Sequence, residues 1–125
     1  MKFGISLFAS LAAASSLLGF IQPVSAQYSK VCAKNTGAYV AQYNLTIGGR
    51  STGYNEGTGA GATKCYKAED AWGMTAVPAQ AQFTLNAKAK GGKSTDCTPY
   101  QQVYSPTGGT INYKSSGTTT NVSCQ

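Results

Sequence analysis

Residues 87–94 read AKAKGGKS, an Ala followed by four residues and then Gly-Lys-Ser, the loosest spelling of a phosphate-binding loop. Such a loop follows a strand, wraps its backbone amides around phosphates and runs into a helix whose N-terminus faces them. Here Ala87 belongs to an alternating run, and Ser94 is followed by Thr-Asp-Cys-Thr-Pro, in which a Pro and a bridging Cys oppose a long helix. The segment therefore reads as a strand end with Lys88 and Lys90 facing solvent, a Gly-Gly turn, and Lys93 at the tip. These three lysines are the candidate contact with an anionic surface, and no nucleotide or other cofactor is expected.

The remaining chemistry is bounded by what the chain contains. It has no His, which removes Ser-His and Cys-His nucleophile pairs and His-ligated metals together. The only carboxylates are Glu56, Glu69, Asp70 and Asp96. A glycosidase needs two carboxylates flanking one bond. Glu69 and Asp70 are sequence neighbours and Asp96 abuts a Cys, so no productive pair is legible. No catalytic residue and no metal ligand is assigned, and the protein is expected not to be an enzyme.

The compartment comes from the first 26 residues, with Lys2, an apolar run from Phe3 to Ile21 and the small-residue ending Val24-Ser25-Ala26. This is the pattern of a secretory signal cleaved after Ala26, and residues 27–125 are expected to form a single extracellular, monomeric domain without stable membrane insertion. Three of the four Phe leave with the signal, so the core is short of large apolar groups. All eight Tyr stay, and a Tyr can bury its ring while its hydroxyl finds a partner. A domain of this size is marginal without cross-links.

Cys32, Cys65, Cys97 and Cys124 supply them. Their wide spacing is unlike that of zinc ligands, which come in close pairs, and an even number in an exported chain indicates two disulfides. Of the three connectivities, Cys32 with Cys65 and Cys97 with Cys124 is preferred, because each pair joins neighbouring segments. Pairing Cys32 with Cys124 would instead tie the terminal strands together.

Periodicity shows what the bridges hold. YVAQYNLTI, residues 39–47, and AQAQFTLNAKAK, residues 79–90, alternate apolar and polar side chains, the mark of half-buried strands. Further strands are read at 28–34, 64–67, 101–104, 110–114 and 119–124, with turn signals between them, and KAEDAW, residues 67–72, offers one helical turn. About seven short strands favour an all-β fold, a small antiparallel β-sandwich. Residues 48–63, with six Gly in sixteen, read as a mobile loop with room for one short strand.

Residues 27–125 carry nine Lys or Arg against four acids, a net charge of +5. That balance attracts anionic lipid or acidic wall polymers, while export and the lack of a binding motif argue against nucleic acid. Lysines also protect sheet edges, which is the blander reading of the same residues. The outward amides and hydroxyls of the strands, with Tyr nearby, suit sugar, and Trp72 is expected to pack in the core. Two sequons, at Asn44 and Asn121, are candidate glycosylation sites. Size, export signal and paired Cys resemble the broad class of small secreted, effector-like proteins of fungi and other microbes, and cerato-platanins share the size and Cys number. The function expected is a secreted, non-enzymatic binding or host-interaction protein. A basic membrane-active or antimicrobial toxin is the alternative, with a carbohydrate-binding module or an enzyme inhibitor behind it. The partner is extracellular: an anionic surface, a polysaccharide or a host protein.

Overall fold

The computed structural model describes residues 26–125; the signal segment read at 1–26 lies, apart from Ala26, outside the described residues. Among the described residues there are nine strands: β1 (Gln27–Asn35), β2 (Ala41–Ile47), β3 (Arg50–Ser51), β4 (Thr63–Lys67), β5 (Gln82–Ala89), β6 (Ser94–Asp96), β7 (Gln102–Tyr104), β8 (Gly109–Thr118) and β9 (Asn121–Cys124). A 3-10 turn, Ala68–Ala71, follows β4 within the KAEDAW segment that offers one helical turn in the sequence. Among the described residues no helix is long and apolar enough to cross a membrane.

The strands make one hydrogen-bonded sheet that curls into two facing layers. Layer A runs β9-β8-β1-β4 and layer B runs β6-β5-β2-β3. The short β7 joins them, pairing with β1 through Gln27↔Val103 and with β5 through Gln82↔Val103. The all-β reading holds, and all seven strands read from the sequence are present. The sheet itself is mixed, not wholly antiparallel: β1 runs parallel to both β7 and β8. The reason is local. Tight turns force antiparallel pairing only between consecutive strands, as at β2–β3, β5–β6 and β8–β9. Among the described residues β1 has no hairpin partner, and its neighbours arrive from far along the chain.

Turn chemistry follows the sequence signals. Gly48 and Gly49 both have positive φ, 56° and 84°, as the two central residues of a twist-matched hairpin turn require. Period two places Tyr43, Leu45, Ile47, Phe83, Leu85 and Ala87 inside, each no more than 3 % exposed. Five tyrosines complete the core: Tyr39, Tyr43, Tyr66, Tyr104 and Tyr113. Their hydroxyls are paired where the interior is dry: Tyr66 donates to the Tyr43 carbonyl at 2.8 Å, Tyr113 to the Pro99 carbonyl at 2.7 Å and Tyr39 to the Ser116 carbonyl at 3.0 Å. Such bonds let a large ring be buried without stranding its polar end. Trp72 is only half-buried, at the rim of the core. Its indole N–H donates to the Ile47 carbonyl at 2.8 Å and the Arg50 guanidinium covers its ring at 4.2 Å.

The disulfides join Cys32 to Cys65 and Cys97 to Cys124, the preferred pairing. They act differently. Cys32 and Cys65 face each other across the β1–β4 pair inside layer A, whereas Cys97 follows β6 of layer B and Cys124 ends β9 of layer A, so this bridge staples the two layers.

Residues 48–63 are bound to the sheet, in contrast to the mobile loop read from their Gly content. Beyond β3 they run along the free edge of β2. Leu45, Tyr43 and Ala41 each exchange a pair of hydrogen bonds with Thr52, Asn55 and Thr58 in turn. The side chains of Thr52 and Asn55 supply the acceptors that an irregular backbone does not.

Candidate functional site

The four carboxylates stand on three separate elements. Glu56 lies in the segment along the β2 edge, and Glu69 and Asp70 lie in the 3-10 turn, where Asp70 accepts the Lys67 backbone N–H at 2.8 Å. Asp96 is on the outer side of layer B, accepting from the Asn86 amide at 2.9 Å. Among the described residues no group of three or more His, Cys, Asp or Glu is placed to hold a metal ion. The groups whose ionisation is displaced are core phenols. Burial raises Tyr43, Tyr66 and Tyr104 above the ordinary phenol range and pushes Tyr113 up to about 12. For Tyr43 the bond to Ser115 offsets part of the effect of burial. A phenol held neutral in this way is a packing group with a hydrogen-bonding tip, not an activated nucleophile.

The surface carries two strand faces. On layer B, Gln42, Asn44 and Thr46 of β2 sit opposite Lys88, Asn86 and Thr84 of β5, and Asn86 in turn opposes Asp96. The Tyr54 hydroxyl donates to Asn86 Oδ1, and Lys88 Nζ lies 5.9 Å from the Tyr54 ring centroid. Tyr54 and Tyr100 are 44 % and 56 % exposed. Tyr100 adjoins Gln101, whose backbone N–H donates to Thr84 Oγ1 at 3.2 Å. This is the amide and hydroxyl ladder read from the sequence, with an aromatic ring now placed on it.

The three predicted lysines lie along one hairpin. Lys88 points outward from β5 toward Tyr54. Lys90 and Lys93 are exposed at the turn, their backbones tied to Val40 and to Thr119. Lys88 therefore guards no sheet edge, because β5 is flanked there by β2 and β6. The edge strand of layer A next to β1 is β4, and it carries Lys64 and Lys67. Of the two sequons, Asn44 is half-buried, its Oδ1 accepting from Ser51 Oγ at 2.6 Å. Asn121 is exposed at the start of β9.

Sequence reasoning missed the second face, the outer side of layer A. Register places Thr110, Lys30 and Lys67 in one row across β8, β1 and β4. Asn112, Cys32 and Cys65 form the next row, and Lys114, Lys34 and Thr63 the third. All four lysines of this grid are exposed. A partial signal was present, since Lys30, Cys32 and Lys34 share one parity of a strand. The contributions of Lys67 and Lys114 depend on long-range pairing that spacing does not encode.

No protein-family model matches the chain, and no curated protein matches it.

Proposed function

We propose that the protein is a secreted, non-enzymatic binding protein of the effector-like, host-interaction kind, which engages an extracellular partner across an open strand face. The observation that carries this reading is the distribution of polar groups. The interior is aromatic with paired hydroxyls, while amides, hydroxyls and lysines stand in ordered rows on the two outer faces. A disulfide inside one layer and another between layers hold such faces rigid, which lowers the ordering cost of binding. Export through the N-terminal segment and the oxidising compartment that two disulfides need support the extracellular placement.

The test is a binding panel on residues 27–125 against neutral and acidic polysaccharides, anionic vesicles and purified secreted host proteins, run beside turnover assays on glycans, esters and peptides. Saturable binding without turnover is the expected result. Turnover that disappears in Glu69→Ala or Asp70→Ala would overturn the reading.

Tyr54 and Tyr100 favour a second reading, in which the layer B face is a sugar platform, because exposed rings beside amides suit the apolar and hydroxyl sides of a pyranose. Loss of neutral-glycan binding in Tyr54→Ala and Tyr100→Ala would select it. The basic-toxin reading rests on the charge of +5 and the exposed Lys90 and Lys93. Leakage of anionic vesicles is its requirement.

A further inference from the structure

We propose that the outer face of layer A is a docking face for a linear acidic polysaccharide whose sugars carry carboxylates, held by Lys30, Lys34, Lys67 and Lys114. The proposal rests on the reading of the chain as an extracellular binding protein, and it names the surface and the ligand class.

The first argument is electrostatic. Lys30 is directly opposite Lys67, and Lys34 directly opposite Lys114, in neighbouring strands. Strand spacing brings each pair to about 5 Å between backbones, where like charges destabilise a sheet. No position of the three-by-three grid carries an acid. Asp70 stands at one margin, bonded to the Lys67 N–H, and the main chain of Gln125 pairs with Lys114 at the other. Two facing lysine pairs without an acidic strand neighbour are an arrangement that an external polyanion would relieve.

The second argument is shape and chemistry. Lys30 and Lys34 are four residues apart on one strand, about 13 Å, so the two cationic rows suit a ligand with charges repeated along its length. Thr110 and Thr63 complete the two lysine rows, and Asn112 stands beside the Cys32–Cys65 bridge in the row between, so hydroxyls and an amide are offered where a uronic-acid polymer presents its own hydroxyls. The exposed large apolar residues, Val40, Tyr54, Met74 and Tyr100, all lie elsewhere, so this face has neither a wedge for a lipid surface nor a ring on which a base would stack.

The test measures Kd of residues 27–125 for polygalacturonate, for its fully methyl-esterified form and for phosphatidylserine vesicles. The variants are two triples of equal charge change. One is Lys30→Gln, Lys34→Gln and Lys114→Gln, and the other is Lys88→Gln, Lys90→Gln and Lys93→Gln. The expected result is salt-sensitive binding to polygalacturonate, lost on esterification, weakened about tenfold in the first triple and unchanged in the second. Amide chemical shifts in the unsubstituted protein give a readout that does not depend on the variants folding, and those of Lys30, Cys32, Lys34 and Asn112 should move first. Equal weakening by both triples, or shifts confined to β2 and β5, would overturn the assignment while leaving a binding protein. Binding to vesicles alone overturns it in favour of a lipid surface. Silence across these probes and the wider panel removes the underlying reading as well.

Discussion

The Tyr43 hydroxyl lies 2.6 Å from Ser115 Oγ, and both residues are fully buried. One comes from β2 of layer B and the other from β8 of layer A, so this bond crosses the middle of the core. It extends into a short network, because the Tyr43 carbonyl accepts from the Tyr66 hydroxyl. Through Tyr43 the two layers are thus matched by two polar contacts, one to Ser115 of β8 and one to Tyr66 of β4.

Removing one partner strands the other. Ser115→Ala and Tyr43→Phe should each cost about 1–3 kcal/mol, the penalty of a buried hydroxyl without a partner. The double variant should cost clearly less than the sum of the singles, since no hydroxyl is then left unpaired. Urea unfolding of the four proteins measures this. Strict additivity would mean that the bond contributes nothing to the match between layers.

The buried phenols predict an alkaline limit to stability. Tyr43, Tyr66, Tyr104 and Tyr113 ionise at higher pH in the folded protein than in the unfolded chain, with Tyr113 displaced from 10.0 to about 12. Between these values the unfolded chain has released protons that the folded protein retains. Stability is therefore fully present below pH 10 and falls as pH rises toward 12. Thermal unfolding midpoints across that window should drop, and Tyr113→Phe should flatten the slope.

The two disulfides should differ in reducibility more than in their stabilising effect. Their loops span 33 and 27 residues, which corresponds to about 3.5 kcal/mol of chain-entropy stabilisation for each. Cys65 is exposed on the outer face, where a reductant can reach it, while Cys97 is fully buried and Cys124 nearly so. Under limiting reductant, alkylation should appear first at Cys32 and Cys65. Simultaneous labelling of all four would show that reduction requires global unfolding.

Asn35 closes a different joint. Its Nδ2 donates to the Tyr39 carbonyl at 2.6 Å and to the Thr58 carbonyl at 2.9 Å, and its Oδ1 accepts the Gly37 N–H at 2.9 Å, all without exposure. Asn35→Asp exchanges both donors for a charge facing two carbonyls, and a loss above about 3 kcal/mol is expected at neutral pH. That buried carboxyl would have a raised folded pKa, so the variant should recover stability as pH falls. A variant equally stable at pH 7 and pH 4 would show that the site takes up water.

Strand existence was legible because one face of each long strand is buried, and period two records that burial directly in Tyr43-Leu45-Ile47 and Phe83-Leu85-Ala87. Parallel pairing of β1 with β8 left no such trace. A strand reads the same whichever way its neighbour runs, and the partners are separated by most of the chain. For the same reason the lysine tip at residues 88–93 was visible as a local cluster, whereas the grid of Lys30, Lys34, Lys67 and Lys114 appears only with register. Composition also misdirected. Six glycines in residues 48–63 suggested freedom, but Thr52, Asn55 and Thr58 sit among them at the spacing needed to pair with Leu45, Tyr43 and Ala41.

That pairing has a consequence for how the molecule behaves in company. A strand such as β2, apolar on its inner face and open along one side, is a template onto which a second chain can add and begin a fibril. Residues 52–58 occupy the template from within, with bonds at every second residue of β2 and bends that no incoming regular strand can extend. The glycine-rich segment thereby denies that edge of β2 to an incoming chain.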